Sequence, residues 1–443
     1  MTEHNSRLTR RAALALPLLL ASCAKLTALF APSDKRLPGV REDVLPVRNG
    51  LELDAAAGTA ITIPAPVAIS DWMQPGGSPD HVLGSLIGPV TFTKKWQSPI
   101  GTGAAYRRKL VVQPVVYADR IYTMDVDGVV AAFDAKTGAF LWQFDPAPDA
   151  ADSTNVGGGL STDGTYLFVT TGYGDLIALD LASAKVIWRQ ALGGPARSAA
   201  TVADGVLYLI TLDARLLAYT AAAGKLVWTY QGEAGDTIAL SWSAPAVEGD
   251  FVTAAFGSGE LVAVNKLTGV ESWTDSVSIA STTASTSDIA TVTSPTVISD
   301  GKVFAVGIGG LMLAVDVKSG RRVWERDVGG FQMPCVVGGL VFVYGDGHLL
   351  ALSRDEGTAL WIVAIPQYKN TKKKKGAINW YGPIYVGGKL WMASDRGEML
   401  PVDPADGKLG RPVQLGDDVA VPPVLAGNTW YIEFESGAIA AFA

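Results

Sequence analysis

The chain has 443 residues and a formal net charge of −7, with 36 basic side chains against 43 acidic ones. That balance, with no dominant basic face, excludes a nucleic-acid binder. Three scattered histidines (His4, His81, His348) and two cysteines (Cys23, Cys335) exclude a histidine-rich metal centre and a disulfide framework.

Residues 1–22 have the layout of an export signal: Arg7, Arg10 and Arg11, then an apolar run from Ala12 to Ser22. The run is shorter than the roughly 20 residues that span a bilayer. It ends in Leu20-Ala21-Ser22-Cys23, small residues before a cysteine placed for lipidation. The pair after Thr9 also leaves twin-arginine export open beside the general route. Residues 23–70 are then a lipidated N-terminus and tether, rich in Pro, Ala and charge, with a short strand possible at 60–63.

The ordered domain is expected over 71–443, opening with Asp71-Trp72-Met73-Gln74-Pro75-Gly76-Gly77. FTKKWQSPI follows, and its Trp96 has no strand-turn unit of its own. The first full unit is GVVAAFDAKTGAFLW, Gly128 to Trp142. It contains a strand apolar on both faces, a turn in which Asp134, Thr137 and Gly138 supply side-chain acceptors and a positive φ, and an aromatic-rich strand. Copies end at Trp188, Trp228, Trp273, Trp324 and Trp361; a divergent one ends at Arg411, and an eighth stops at Ala443.

With Ala132 and its equivalents as register marks (178, 218, 263, 314, 351, 401, 441), the period runs from 37 to 51 residues. Such spacing, with four short strands per period, marks an all-β, eight-bladed β-propeller of four-stranded antiparallel blades. Trp96 lies one period before Trp142. The N-terminal strand therefore completes the last blade and removes an open sheet edge. Trp96, Trp142, Trp188, Trp228, Trp273, Trp324 and Trp361 are expected to fill the joints between blades.

Two connections are long. Ser276–Thr293 is a Ser/Thr-rich insertion, and Pro366–Trp380 carries Lys372 to Lys375, a solvated loop tip or a contact for acidic surfaces or lipid headgroups. Cys335, in PCVVGG, is expected in an inner strand as a small buried hydrophobe.

The A-x-D-x-x-T-G-x-x-x-W pattern resembles the tryptophan-docking motif of pyrroloquinoline quinone (PQQ) dehydrogenases. That resemblance belongs to the scaffold: no Cys-Cys pair, nucleophile motif or large cofactor-enclosing insertion accompanies it. Together with the lipobox, the short blades, the Asp71-Trp72 opening and the orphan Trp96 strand, the repeats resemble the BamB family, propeller lipoproteins of the outer-membrane β-barrel assembly (BAM) machinery. The resemblance covers nearly the whole chain after Cys23. It implies a non-enzymatic scaffold without catalytic residues, metal or cofactor, lipid-anchored at the periplasmic face of the outer membrane. Its partners would be the POTRA domains of BamA, other BAM subunits and nascent outer-membrane proteins, with no nucleic acid. The family pattern places partner contacts at Arg197 in LGGPARSAA and Asp288 in TSDIATVTSP, although Gly194, Ala196 and Ala290 depart from it. A PQQ-dependent enzyme and a periplasmic substrate-binding propeller remain the alternatives.

Overall fold

The computed structural model describes residues 50–54, 62–106, 108–148, 155, 157–235, 243–277 and 292–443. Within them lie eight four-stranded antiparallel sheets, one per period of the sequence, arranged as an eight-bladed propeller. Blade one is Val115–Tyr117, Arg120–Met124, Val130–Asp134 and Phe140–Phe144, from the axis outward. Blades two to seven span 158–191, 201–231, 246–276, 297–326, 335–364 and 380–414. Blade eight takes three strands from 424–442 and its outermost strand, Lys94–Pro99, from the other end of the chain.

The two middle strands of each blade are sandwiched by neighbouring blades, so their side chains are buried on both faces; Ile121 to Met124 and Val130 to Phe133 are all buried. This explains why the sequence shows apolar runs there and little alternation. In six blades the register mark sits opposite its tryptophan: Ala132 faces Trp142, Ala178 faces Trp188, Ala218 faces Trp228, and so on to Ala351 and Trp361. The strand register then shifts at each of these pairs. Ala441 stands opposite Trp96 in the same way, which completes blade eight as the spacing predicts. Thr93 and Ala443 exchange both backbone hydrogen bonds at the end of that pairing.

Each of the seven tryptophans reaches into the next blade. The indole Nε1 donates to the carbonyl just after the turn's first residue: Trp96 to Ala135, Trp142 to Leu181, Trp188 to Ala221, Trp228 to Lys266, Trp273 to Val317, Trp324 to Arg354 and Trp361 to Pro404, at 2.7 to 3.2 Å. The turn is held for this contact. In blade one, Asp134 Oδ1 accepts from the Thr137 amide and hydroxyl, both at 2.8 Å. The Thr137 hydroxyl bond is the main reason the Asp134 carboxyl stays below its usual range.

The eighth joint is made differently. The outer strand of blade seven is only Val413–Gln414, and blade eight has no turn to receive an indole because both chain ends meet there. Phe92 fills the gap edge-on to Trp391, with ring centroids 5.0 Å apart, and lies 5.8 Å from Trp430. Trp430 Nε1 donates to Pro89 O at 3.0 Å. Leu86 bonds the blade-seven backbone on both sides, accepting from Gly387 N at 2.9 Å and donating to Tyr385 O at 3.3 Å.

Three local expectations meet the structure in different ways. Cys335 is in an inner strand, 1% exposed, and burial pushes its thiol up to about 12. The lysine-bearing connection forms a two-stranded hairpin, Tyr368–Asn370 with Lys375–Ala377, because Asn370 and Lys374 supply an Asx acceptor and a positive φ at its turn. No strand forms at 62–63, while Ala60 and Ile61 lie outside the described residues. The hydrogen bonds, core and ring closure described here all fall within Asn49–Ala443, one compact unit.

Candidate functional site

A propeller offers function at the two ends of its axis, and here the ends differ. One end is closed by the chain itself. The segment from Trp72 to Leu86 crosses the ends of the inner strands and bonds one blade after another. Trp72 exchanges backbone bonds with Val116 of blade one at 2.7 and 2.9 Å. Met73 O accepts from Thr162 of blade two, Pro79 O from Val247 of blade four and Asp80 O from Ile298 of blade five. Gln74 Oε1 takes the Val202 amide of blade three at 2.7 Å. Just upstream, Ile69 O accepts from Gly427 of blade eight.

His81 anchors this plug. It is 1% exposed and its Nδ1 lies 2.7 Å from Thr296 O. Burial drives the imidazole down to about 4, so it is neutral and structural at physiological pH. Trp72 and Gln74 are equally buried. Only the Asp71-Trp72 opening marks this segment in the sequence, because most of its contacts are backbone bonds and Gln74 and His81 belong to no repeat.

The other end is an open mouth holding a cavity of about 570 Å³. Its apolar wall includes Leu110, Ile308, Phe331 and Val421, and its rim is charged. Lys109 pairs with Glu435 at 2.9 Å and Arg396 lies 3.7 Å from Asp395. Burial pushes the Asp418 carboxyl up, and neighbouring carboxylates add to the shift. Gln113 ties the cavity floor to the plug, donating to Pro422 O at 3.2 Å and accepting from Gly76 N at 3.4 Å. Among the described residues no group of three or more His, Cys, Asp or Glu side chains is placed to hold a metal ion.

Arg197 lies inside the ring wall and is 4% exposed. Its amide donates to Ile210 O at 2.8 Å, and its guanidinium donates to Ala255 O of blade four and to Val292 O. Val292 adjoins Thr293, which lines the mouth cavity. Burial lowers this guanidinium to about 10, which leaves it charged at neutral pH. Asp288 and Cys23 lie outside the described residues. A further buried acid went unread in the sequence. Glu433, in blade eight, is fully buried with no hydrogen-bond partner for either carboxyl oxygen among the described residues.

Comparison with known proteins gives this architecture a family. A family model described as "Outer membrane protein assembly factor BamB" matches residues 126–363. The BamB of Yersinia pestis is 26% identical over 361 residues, covering 79% of this chain and 88% of the relative. That of Burkholderia pseudomallei is 27% identical over 351 residues, covering 78% and 87%. Among solved structures, BamB from Moraxella catarrhalis superposes with a TM-score of 0.65 at 16% identity, over 80% of this chain and 99% of that one. A quinohemoprotein alcohol dehydrogenase from Comamonas testosteroni reaches 0.66 at 14% identity, over 84% and 80%. The two structural likenesses establish the shared propeller, and the family model matches more than half of the sequence. The chain belongs to the BamB family of outer-membrane protein assembly factors.

Proposed function

We propose that this chain is a non-enzymatic scaffold of the outer-membrane β-barrel assembly machinery. Anchored through Cys23 at the periplasmic face of the outer membrane, it docks on the POTRA domains of BamA and aids folding and insertion of barrel proteins. The observation that supports this reading best is the family match over blades built as a rigid closed ring. A plug that bonds blade after blade, and an eighth joint sealed by Phe92, suit a body that presents fixed loops to a partner. Arg197 serves this role from inside the wall, by setting the shape of the mouth, and Asp288 is a candidate for direct contact.

The experiment is a gentle detergent pull-down of the lipidated protein with mass spectrometry of what accompanies it. Recovery of BamA is the expected result. Recovery of the protein alone, with dye reduction that depends on PQQ and calcium, would overturn the scaffold reading in favour of a quinoprotein. Arg197→Glu buries a carboxylate and is informative only with a check that the ring remains folded. Asp288→Arg should weaken BamA recovery if that residue touches the partner.

A further inference from the structure

The strongest charge feature on this acidic protein is a basic one. Lys369 and Lys372 to Lys375 place five ammonium groups on one hairpin, in which residues 369–377 are all exposed. None of the five forms an ion pair among the described residues. Crowding like charges without counter-ions opposes folding slightly, and an anionic partner would offset it.

The hairpin is held firmly at its base. Trp380 Nε1 donates to Pro366 O at 2.7 Å, Ile378 N to Gln367 O at 2.9 Å and an Arg396 guanidinium nitrogen to Ala377 O at 2.8 Å. It also stands beside an apolar ledge. Phe331 and Ile308, 40% and 37% exposed, share the wall of a hollow of about 520 Å³ with Tyr368, Ala377 and Ile378. The nearby carboxylates are occupied: Asp395 by Asn379 and Arg396, and Asp346 by the Gly329 amide.

We propose that this hairpin is a membrane-contact element that binds the phosphate headgroups of an anionic lipid surface, with Phe331 and Ile308 entering the interface beside it. Lysine ammonium groups on flexible stems are point charges without the fixed fork that arginine brings to a shaped acidic site. They fit a fluid layer whose phosphates rearrange around them, and the adjoining apolar ledge matches the composition of interfacial segments. The contact would turn the open mouth toward the membrane. It does not depend on the BAM reading, since lipid binding and BamA recovery are measured separately.

The test is cosedimentation of the unit Asn49–Ala443, which lacks Cys23 and the signal region, with phosphatidylcholine vesicles and with vesicles also containing phosphatidylglycerol. Binding to the phosphatidylglycerol vesicles alone is expected, weakening as salt screens the lysines. Each lysine near such a surface contributes roughly a five-fold factor, so the quadruple variant K372Q/K373Q/K374Q/K375Q should lose up to about 600-fold in partitioning. These four side chains are exposed, so the variant should fold as the parent does. Phe331→Ser should reduce binding further. Equal binding to both vesicle types, or a quadruple variant that binds like the parent, would overturn the proposal. So would complete competition by inorganic phosphate at constant ionic strength, or no vesicle binding alongside lysine-dependent capture of an acidic protein.

Discussion

Gly138 lies directly beneath the indole of Trp96: a Cβ built on this glycine would come within 2.5 Å of the ring. The same contact recurs at Gly224, Gly269, Gly320, Gly357 and Gly407, each under the tryptophan of the preceding blade, with positive φ. Blade two departs from the rule. Its turn has Ala184 at φ 59°, a left-handed backbone carrying a side chain.

Ala184→Gly should therefore raise stability by about 1 kcal/mol, the usual cost of a left-handed alanine. Gly269→Ala should lower it by about 2–4 kcal/mol, because strain and collision with Trp228 add. Urea midpoints for the two variants should move in opposite directions; a shared direction would refute this account of the turn.

Trp273 separates the two parts of a blade joint, packing and hydrogen bonding. It is 8% exposed and its Nε1 donates to Val317 O at 2.7 Å. Trp273→Phe keeps much of the ring but leaves that carbonyl without its donor, at a cost of about 1–3 kcal/mol. Trp273→Ala also opens a cavity and should cost about 3–5 kcal/mol. Equal losses in thermal or chemical unfolding would show that packing contributes little.

Glu433 makes stability depend on pH with a defined sign. Burial without a partner raises its folded pKa well above the ordinary 4.5. Above pH 4.5 the unfolded chain releases this proton while the folded chain retains it, so the Glu433 contribution falls as pH rises, by up to about 1.4 kcal/mol per unit, until the folded pKa is passed. Glu433→Gln should flatten the curve, with the gap from the parent widening from pH 5 to neutrality. Parallel curves for parent and variant would rule the carboxyl out as the cause.

Gln74 tests the plug. Its Oε1 holds the buried Val202 amide at 2.7 Å, and Gln74→Ala strands that donor at a cost of about 1–3 kcal/mol. The loss should appear as faster hydrogen exchange at Val202 and along the plug, with the outer strands unaffected. Uniform acceleration through all blades would mean that the plug and the ring unfold together.

The ring itself was legible in the sequence because its joints use side chains at a fixed period. Ala441 opposite Trp96 could be placed from spacing alone, and the structure shows that pairing. The eighth joint was not legible, since Phe92 and Pro89 belong to no repeat and meet Trp430 only because the first and last strands pair. The plug left only Asp71-Trp72 for the same reason. The family pattern marks Arg197 as a partner contact, but its burial depends on carbonyls 58 and 95 residues away, which the local sequence does not show. Glu433 looks like an ordinary polar position in a strand, and its complete burial appears only in the folded ring.

The pairing of Lys94–Pro99 with Ala438–Phe442 has a consequence for how the protein is made. A chain delivered from its N-terminus presents the first of these strands more than 300 residues before its partner arrives. Until then Trp96 has a groove in blade one to enter but no sheet to join, and blade eight exists as an exposed edge. Closure is the last long-range step, and such contacts form slowly because a large loop must be ordered first. Loss of the final five residues should leave seven blades able to form and the ring unable to shut, a species exposed to aggregation and proteolysis.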